Sequence, residues 1–412
     1  MNCDAAVVVL PSGHHGDLGI ARSLGRLGVP VYIAGAAWWE PVSRSRYCRG
    51  RLRCDWDRGP SSRAVDQLLE AGRKLPGPPL LVPTTDRQVV WVADNAGALS
   101  EVFRFPRQDA GLVRTLCDKS LMRILAGRCG VPTPQATVPG SIEDVEEFAE
   151  SAAFPVMVKA TEVESMRRRV GGTKFVVRDA RELIDLCRRA EDPEGPNLMI
   201  QEFIPGDDWM FDGYFDRDSV CRFGVAGCKI RRFPVYTGVT SLGICVRNEE
   251  LEQLTARFMQ QLGYRGILDI GYRRDRRDGQ YKVLDVNPRI GCTFRLFTDG
   301  GGLDVARTLY LDLTGQPVSA SEPSAGRKWV VEDFDLLSSI RLWREGALRV
   351  KDWADSFRGV QECACFAADD PMPCFWMGLS DLRAFREWIG RPAVRTRAQD
   401  GTNLALGREV VP

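Results

Sequence analysis

The stretch that decides the fold is Leu284-Asp285-Val286-Asn287-Pro288-Arg289-Ile290-Gly291. Its apolar residues predict a strand, and residues two apart on a strand point to the same side, so that Asp285 and Asn287 offer oxygen atoms to one point in space. Mg²⁺ prefers such hard oxygen ligands and usually takes one or two from the protein. Arg289 follows with a planar guanidinium suited to phosphate. The stretch predicts a magnesium and phosphate site, although an isolated acid–x–amide spacing is also typical of a turn.

Length and composition narrow the class of protein. The 412 residues suffice for two or three domains and a large core. The 56 basic and 55 acidic residues nearly cancel, which argues against nucleic acid or a membrane as a partner. No apolar stretch approaches the roughly 20 residues that span a bilayer, and the N-terminus is unlike a signal peptide. Thirteen scattered cysteines without a C-x-x-C pair predict a reduced, cytoplasmic protein.

The N-terminal third predicts a parallel sheet. Strand and helix patterns alternate at 5–10, 18–27, 29–34, 65–72 and 79–83. Ligands of such sheets gather outside the carboxyl ends of the strands. The loop at 13–17 and Asp86 are therefore candidate substrate contacts. His14 and His15, the two histidines of the chain, lie in this loop, and packing within the loop is the alternative to a substrate role.

The middle of the chain carries cations where strands and helices begin or end. Lys119 follows Asp118 at the start of a helical pattern, and Lys159 ends a buried strand. A lysine there must reach a counter-charge or solvent, which indicates either a triphosphate contact or a snorkelling side chain. The segment 166–174 has three arginines, two glycines and Lys174. It predicts either a mobile lid that closes over phosphate or an ordered β-hairpin.

The segment Gln201-Glu202-Phe203-Ile204-Pro205-Gly206-Asp207-Asp208 indicates a strand that leaves the core into a turn. Its backbone suits an adenine edge, and its acids suit ribose hydroxyls, which need strong acceptors. The alternative is an ordinary turn in which the aspartates cap backbone amides. The later run at 273–279 mixes arginine and aspartate and predicts a solvated hairpin tip.

The order of these segments resembles the ATP-grasp superfamily. The stretch 266–273, the Asp-Gly hairpin and the opening stretch are similar to the bacterial carboxylate–amine ligases, a group that includes D-aspartate-ligase-like proteins. The resemblance covers roughly residues 5–320 and implies an α/β fold in three parts. These are a pre-ATP-grasp parallel-sheet domain at 1–115, an ATP-grasp α+β domain pair with the nucleotide and metal site at 116–320, and a Trp-rich C-terminal extension at 321–412, which includes Trp388.

The resemblance also implies roles for individual residues. ATP phosphates would be held by Lys119, Lys159 and Lys174, adenine by Gln201, Glu202, Phe203 and Ile204, and ribose by Asp207 or Asp208. Mg²⁺ would be ligated by Asp285 and Asn287, and the acyl phosphate stabilised by Arg289 together with Lys159. Arg231 and Arg295 are further candidates for a carboxylate substrate.

One position departs from the family pattern. The strand that precedes Asp285 normally supplies another acid, and Gly271 stands there. Asp269, two residues earlier on the same face, is a candidate replacement, in which case aspartate at position 271 would be tolerated or would tighten Mg²⁺ binding.

The expected activity is the conversion of a small carboxylate and ATP into an acyl phosphate, which an amine then attacks. The expected cofactors are ATP and Mg²⁺, and the expected partners are small molecules and a second copy in a homodimer. A different nucleophile, or a non-catalytic ATP-binding or scaffold protein with a depleted metal site, is the alternative.

Overall fold

The computed structural model describes residues 1–55, 62–161, 163–190 and 197–377. Trp388 of the predicted extension lies outside the described residues. None of the helices in these ranges is long and apolar enough to cross a membrane.

The N-terminal residues form a four-stranded parallel sheet, which confirms the βαβ prediction. The strand order is β3-β2-β1-β4, and Val7 of β1 lies opposite Val31 of β2 and Leu80 of β4. Every residue of β1 is buried, as is usual where both faces of a parallel sheet are covered. The elements are β1 Val7–Leu10, α1 His15–Gly25, β2 Val31–Ala34, β3 Cys48–Leu52, α2 Ser62–Arg73, β4 Leu80–Pro83, α3 Asp86–Asp94, α4 Ala96–Leu99 and α5 Ala110–Cys117, with a 3₁₀ helix at Pro41–Arg44.

A second sheet is antiparallel and has the order β5-β8-β6-β7. Val158 of β6 lies opposite Phe175 of β7 and Ile200 of β8. A compact apolar cluster packs this sheet against α7 and α9. The elements are α6 Lys119–Arg128, β5 Ala136–Thr137, α7 Ile142–Ser151, β6 Val156–Ala160, α8 Val163–Val170, β7 Lys174–Val177, α9 Ala180–Ala190 and β8 Leu198–Glu202.

The third sheet has seven strands in the order β13-β12-β9-β10-β11-β14-β15. It includes the predicted hairpin of β12 and β13, which carries the opening stretch. The elements are β9 Gly206–Phe215, β10 Cys221–Phe233, β11 Val239–Cys245, α10 Glu249–Gln261, β12 Gly266–Asp275, β13 Tyr281–Asn287, α11 Val305–Leu313, β14 Lys328–Val330, α12 Glu332–Arg344, α13 Val350–Ser356 and β15 Val360–Cys363, with a 3₁₀ helix at Phe294–Leu296.

Residues 321–377, the described part of the C-terminal extension, belong to the core of the first unit rather than to an appendage. Its strands β14 and β15 complete the seven-stranded sheet. The buried guanidinium of Arg22 donates to a carboxylate oxygen of Asp370 at 3.0 Å and to the carbonyl oxygens of Ala364, Cys365 and Asp370. A buried cation is stable only when it is paired and hydrogen-bonded in this way, so these late residues stabilise the first helix.

Contacts group the chain into two units. The first unit comprises Met1–Cys117, Met210–Ile270 and Asn287–Pro412, and the second comprises Asp118–Trp209 and Gly271–Val286. Strands β9, β12 and β13 run through the sequence boundaries of these units. The predicted domains at 1–115, 116–320 and 321–412 describe a different division and stay a prediction.

The structure corrects the prediction for the segment 166–174. A helix, α8, occupies Val163–Val170, followed by Gly171 with a φ of +73°. The side chain of Met166 is fully buried in the apolar cluster of the second sheet. One buried anchor and the helical backbone therefore replace the expected glycine-rich loop or hairpin.

The hairpin tip at 273–279 is exposed, as predicted, at five of its seven residues, and Arg273 and Asp275 are the exceptions. Asp275 is fully buried and accepts from Arg277 and Lys282, which lower the pKa of its carboxyl well below the ordinary range. The turn further requires glycine at position 206, where φ is +150° and a Cβ would lie 1.8 Å from the carbonyl oxygen of Arg274. These two contacts hold the base of a tip that is otherwise solvated.

Candidate active site

The second unit gathers three predicted phosphate ligands around one strand. Lys119 begins α6, where Asp118 accepts from the amides of Ser120 and Leu121 as the N-cap. Its ammonium donates to the carbonyl oxygen of Ala160 at 3.2 Å. Lys159 and Lys174 are directly paired in register on β6 and β7. The sequence prediction that these lysines lie together is consistent with this geometry, while their role towards ATP stays a prediction.

Lys159 is the buried member of these three lysines. Its side chain is 6% exposed, so it does not snorkel to solvent, and that alternative is wrong. Its pKa is lowered to about 7, mainly by burial and then by the charges of Lys174, Lys119 and Arg273, while Asp285 opposes the shift. A buried lysine among like charges is a site prepared for an anion.

The predicted adenine and ribose residues lie near the hairpin arginines. Glu202 accepts from the guanidinium of Arg277 and from the backbone amide of Gln135. Asp207 pairs with Arg276 at 3.0 Å, and Asp208 lies 3.7 Å from Arg273. The remaining members are Gln201 and Ile204, both buried, and Phe203, whose ring lies 5.1 Å from the guanidinium carbon of Arg273. These acids form ion pairs in this structure, and their nucleotide roles stay predictions.

Asp285 lies on β13 with an exposed side chain. It faces Gly271 of β12, because a Cβ added at position 271 would lie 2.5 Å from Oδ1 of Asp285. Glycine at position 271 therefore leaves space for the carboxylate of Asp285, and the side chain of an acid at this position would occupy that space. This contact alters the expectation for Gly271→Asp, since the new side chain would displace Asp285 instead of joining it.

The first unit holds a chain of hydrogen bonds that begins at Asp86. Thr85 caps α3 with a reciprocal capping box and places Asp86 in the first turn. Nε of Arg289 donates to Asp86 at 2.7 Å, and its Nη2 donates to Oδ1 of Asn287 at 3.3 Å. Nδ2 of Asn287 then donates to Asp269 at 3.3 Å. Four predicted site residues thus contact one another, although Asn287 directs its oxygen to Arg289.

Sequence reasoning missed Asp212, a buried acid on β9 of the same unit. The residue is 0% exposed, and both carboxylate oxygens have no hydrogen-bond partner among the described residues. Burial raises its pKa well above the ordinary value, and the charges of Asp269 and Asp304 add to this effect. Its only sequence signal is a single acid inside the apolar strand Trp209–Phe215.

The two adjacent histidines after the first strand lie in different environments. His14 is exposed and precedes α1, whereas His15 is buried against the rings of Trp329 and Phe334. Burial lowers the pKa of His15 to about 4, and the neighbouring His14 adds to the shift, so its imidazole is neutral. Asp17, buried in the same helix, accepts from Ser12 and holds the loop. The position of His15 fits the packing alternative, and the substrate roles of His14 and His15 stay predictions.

The two arginines proposed as substrate contacts lie in buried ion pairs. Arg231 donates to both oxygens of Asp335 at 2.7 and 3.0 Å. Arg295 pairs with Asp304 and Glu362. These ion pairs stabilise the first unit, and the substrate roles of both arginines stay predictions.

Comparisons with known proteins extend this picture. No family model matches the chain. The chain is 27% identical over 245 residues to the D-aspartate ligase of Enterococcus faecium, which covers 55% of this chain and 57% of that protein. It is 26% identical over 234 residues to the N-terminal section of the carbamoyl phosphate synthase large chain of Methanopyrus kandleri, or 50% and 39% of the two chains. The chain thus spans about half the length of these curated relatives.

Solved structures share the architecture over most of the chain. The N5-carboxyaminoimidazole synthetase of Staphylococcus aureus, complexed with ADP, has a TM-score of 0.61 at 13% identity and covers 79% of this chain and 81% of its own. The L-amino acid ligase of Bacillus licheniformis has a TM-score of 0.56 at 14% identity and covers 78% and 76%. The predicted resemblance is confirmed: the chain has the fold of the ATP-grasp carboxylate–amine ligases.

Proposed function

We propose that this chain is an ATP-dependent ligase that activates a small carboxylate as an acyl phosphate and transfers it to an amine. The observation that carries the proposal is Lys159, a buried ammonium with a depressed pKa that is surrounded by Lys119, Lys174 and Arg273. Relatives named as D-aspartate ligase and L-amino acid ligase support this class of reaction.

The chemistry requires little beyond position and positive charge. A carboxylate oxygen attacks the γ-phosphorus of ATP, and ADP leaves; the amine then attacks the acyl carbon, and phosphate leaves with loss of one amine proton. Phosphoryl transfer is catalysed mainly by orienting the reactants and neutralising charge on the γ-phosphoryl group. In this proposal, the three lysines of the second unit bind the ATP phosphates, and Arg289 stabilises the acyl phosphate.

Mg²⁺ fits this proposal through Asp285. The described residues contain no group of three histidine, cysteine or acidic side chains that could hold a metal ion. Mg²⁺ bound with nucleotide needs only one or two carboxylates, because phosphates and waters complete its shell. The exposed carboxylate of Asp285 beside Gly271 suits that mode. When bound, Mg²⁺ would neutralise charge on the phosphates. Asp269 and Asn287 are engaged in the hydrogen-bonded chain from Asp86, so their metal roles are less well supported.

The test uses hydroxylamine as the nucleophile, because it traps any acyl phosphate as a hydroxamate. The full chain is incubated with ATP, Mg²⁺, hydroxylamine and a panel of small acids, and ADP and hydroxamate are measured together. We expect equal amounts of both with an accepted acid and loss of both in Lys159→Met. Nucleotide binding without ADP release for any acid would instead favour the non-catalytic alternative. Homodimer formation and cytoplasmic location stay predictions.

A further inference from the structure

A group of exposed aromatic rings lies on the first unit, beside the loop that follows β2. Trp38 and Trp39 are 51% and 62% exposed, and Phe375 is 61% exposed. The ring of Trp38 lies 5.9 Å from that of Trp39 and 6.1 Å from that of Trp376, and it is nearly perpendicular to both. Single apolar residues on a surface are ordinary, whereas contiguous ones mark interaction sites. These four residues and Arg44 form the tryptophan patch.

Arg44 contacts two of the rings. Its guanidinium carbon lies 4.8 Å from the ring of Trp38 and 4.5 Å from that of Trp376, so the cation occupies the corner between two perpendicular indoles. A guanidinium is planar and weakly hydrated, and it therefore packs well against aromatic rings. The rings hold the guanidinium in place, but they do not replace the acceptors that its five N–H groups require.

Within the described ranges, no group accepts a hydrogen bond from Arg44. Its Nε is buried without a hydrogen-bond partner, and the residue as a whole is half-buried. Glu40, four residues earlier, accepts from the amide of Ala37 at 2.9 Å instead of pairing with this arginine. By contrast, Arg22 and Arg231 of the same unit each pair with an aspartate. The tryptophan patch therefore presents a positioned cation that has no anionic partner among the described residues.

We propose that the tryptophan patch binds an acidic segment of a partner protein, in which a carboxylate pairs with Arg44 and neighbouring apolar side chains cover the exposed rings. Tryptophan, phenylalanine and arginine are enriched in the cores of protein interfaces and at their hot spots. The guanidinium determines the charge of the partner, because its planar fork binds a carboxylate through two parallel hydrogen bonds. The patch belongs to the first unit, whereas the lysines of the proposed nucleotide site belong to the second. The inference therefore does not depend on the proposed ligase function.

The test is a selection from a random peptide library displayed on phage, with the full chain as the target. We expect the enriched peptides to carry aspartate or glutamate next to tryptophan, phenylalanine or leucine. In the peptide that binds best, replacement of the acid by its amide should weaken binding roughly tenfold or more, the effect of losing a hydrogen bond to a charged group. A selection without enriched peptides, enriched peptides without acids, or equal binding of the amide form would overturn the inference.

Variants of the chain test where this peptide binds. Arg44→Met keeps the stem without the charge and should weaken binding roughly tenfold or more, and Arg44→Lys should restore only part of it, because lysine lacks the planar fork. Trp39→Ser removes an exposed ring and should weaken binding roughly fivefold. Arg51→Met and Trp343→Ser remove exposed side chains outside the patch and should leave the affinity unchanged. If Arg44→Met does not fold, native affinity in Trp39→Ser would overturn the inference.

Two further results would assign the peptide or the patch differently. If the native chain self-associates in sedimentation and Trp39→Ser does not, the patch joins two copies of this chain and the inference fails. If the peptide binds Arg44→Met as tightly as the native chain but binds Lys159→Met more weakly, it occupies the lysines of the second unit and the inference also fails. Binding that is weakened in Arg44→Met and Trp39→Ser and kept in Lys159→Met supports the inference, whether or not any acid releases ADP.

Discussion

Nucleotide binding should be accompanied by protonation of Lys159, and the number of protons taken up per nucleotide should depend on pH. Burial among cations lowers the pKa of this lysine from 10.5 to about 7. At pH 8 about 0.9 of the unliganded chain therefore has a neutral Lys159, against about 0.1 at pH 6. A bound polyphosphate gives the ammonium an anionic partner and returns its pKa towards the ordinary value. Proton uptake on binding should thus rise from about 0.1 at pH 6 to about 0.9 at pH 8.

The linkage between protonation of Lys159 and binding also determines how nucleotide affinity and the free energy of unfolding change with pH. Because the bound form holds more protons than the unbound form, affinity should fall as pH rises above 7, by at most about tenfold per pH unit. The unfolded chain likewise holds more protons than the folded one between the lowered and ordinary pKa values of Lys159. This lysine therefore makes the free energy of unfolding rise with pH in that window.

Isothermal titration calorimetry measures the uptake directly. Mg-ADP is titrated into the full chain at each pH in two buffers of different ionisation enthalpy, and the difference gives the protons exchanged. Lys159→Met removes the titrating group but keeps the stem, and should abolish the rise between pH 6 and pH 8. Lys351→Met removes an exposed lysine of α13 and should leave the rise in proton uptake between pH 6 and pH 8 unchanged. Equal uptake at pH 8 in the native chain and in Lys159→Met would refute the reasoning.

Further predictions concern the metal ligand, its neighbour, helix α8 and the buried acid. Asp285→Asn should weaken Mg²⁺-dependent ADP binding roughly tenfold while changing Tm little, because the side chain is exposed; unchanged binding in a Mg²⁺ titration would reject the ligand role. Gly271→Asp should weaken the same binding, since its Cβ would meet the carboxylate of Asp285; tighter binding would restore the expectation from sequence. In hydrogen exchange, amides at the end of α8 should be protected with and without Mg-ADP, because Met166 anchors the helix; complete exchange within seconds without nucleotide would favour the lid. Asp212→Asn should raise Tm more at pH 8 than at pH 5. Because burial raises the pKa of this carboxyl in the folded chain, the native protein loses stability as pH rises, and the amide removes that loss. An equal change in Tm at both pH values would contradict this.

The parts of the fold that sequence predicts best are those defined by short-range patterns. A β-branched run after Gly28 predicts the second strand at 29–34, and β2 spans Val31–Ala34. The hairpin of β12 and β13 follows from alternating apolar residues around an Asp-Gly turn. In these segments local propensity and burial favour the same structure, so that the local sequence is sufficient to predict the strand and the hairpin.

Helix α8 shows where local reasoning fails. Three successive arginines and a following glycine pair indicate a loop when only composition is considered. The helix is stabilised by one fully buried residue, Met166, packed in the apolar cluster under α9. Val170, four residues later, is only partly buried against the same cluster. Two such residues in a short helix give a weak periodic signal, and most of the stability of such a helix comes from tertiary packing.

Pairings between distant residues are the other part that sequence does not predict. The carboxyl-end rule selected Asp86, and the opening stretch selected Arg289, but nothing local indicates that they form a hydrogen bond across 203 positions. Arg231 looks like a substrate cation until its buried partner Asp335, 104 positions later, is seen. A charged residue in sequence reveals its charge but not whether a buried partner already satisfies it.

The pair of Arg22 and Asp370 has a consequence for how the chain is made. The two residues are 348 positions apart, so the ribosome must synthesise nearly the whole chain before the guanidinium in the first helix meets its carboxylate. Domains usually fold as units from the N-terminus during synthesis. Here, however, α1 gains its buried ion pair only after the residues around Asp370 have been synthesised. The contacts within Asp118–Trp209 need no such delay. We therefore expect nascent chains that end before residue 364 to leave α1 susceptible to protease while the segment around β6 is already resistant.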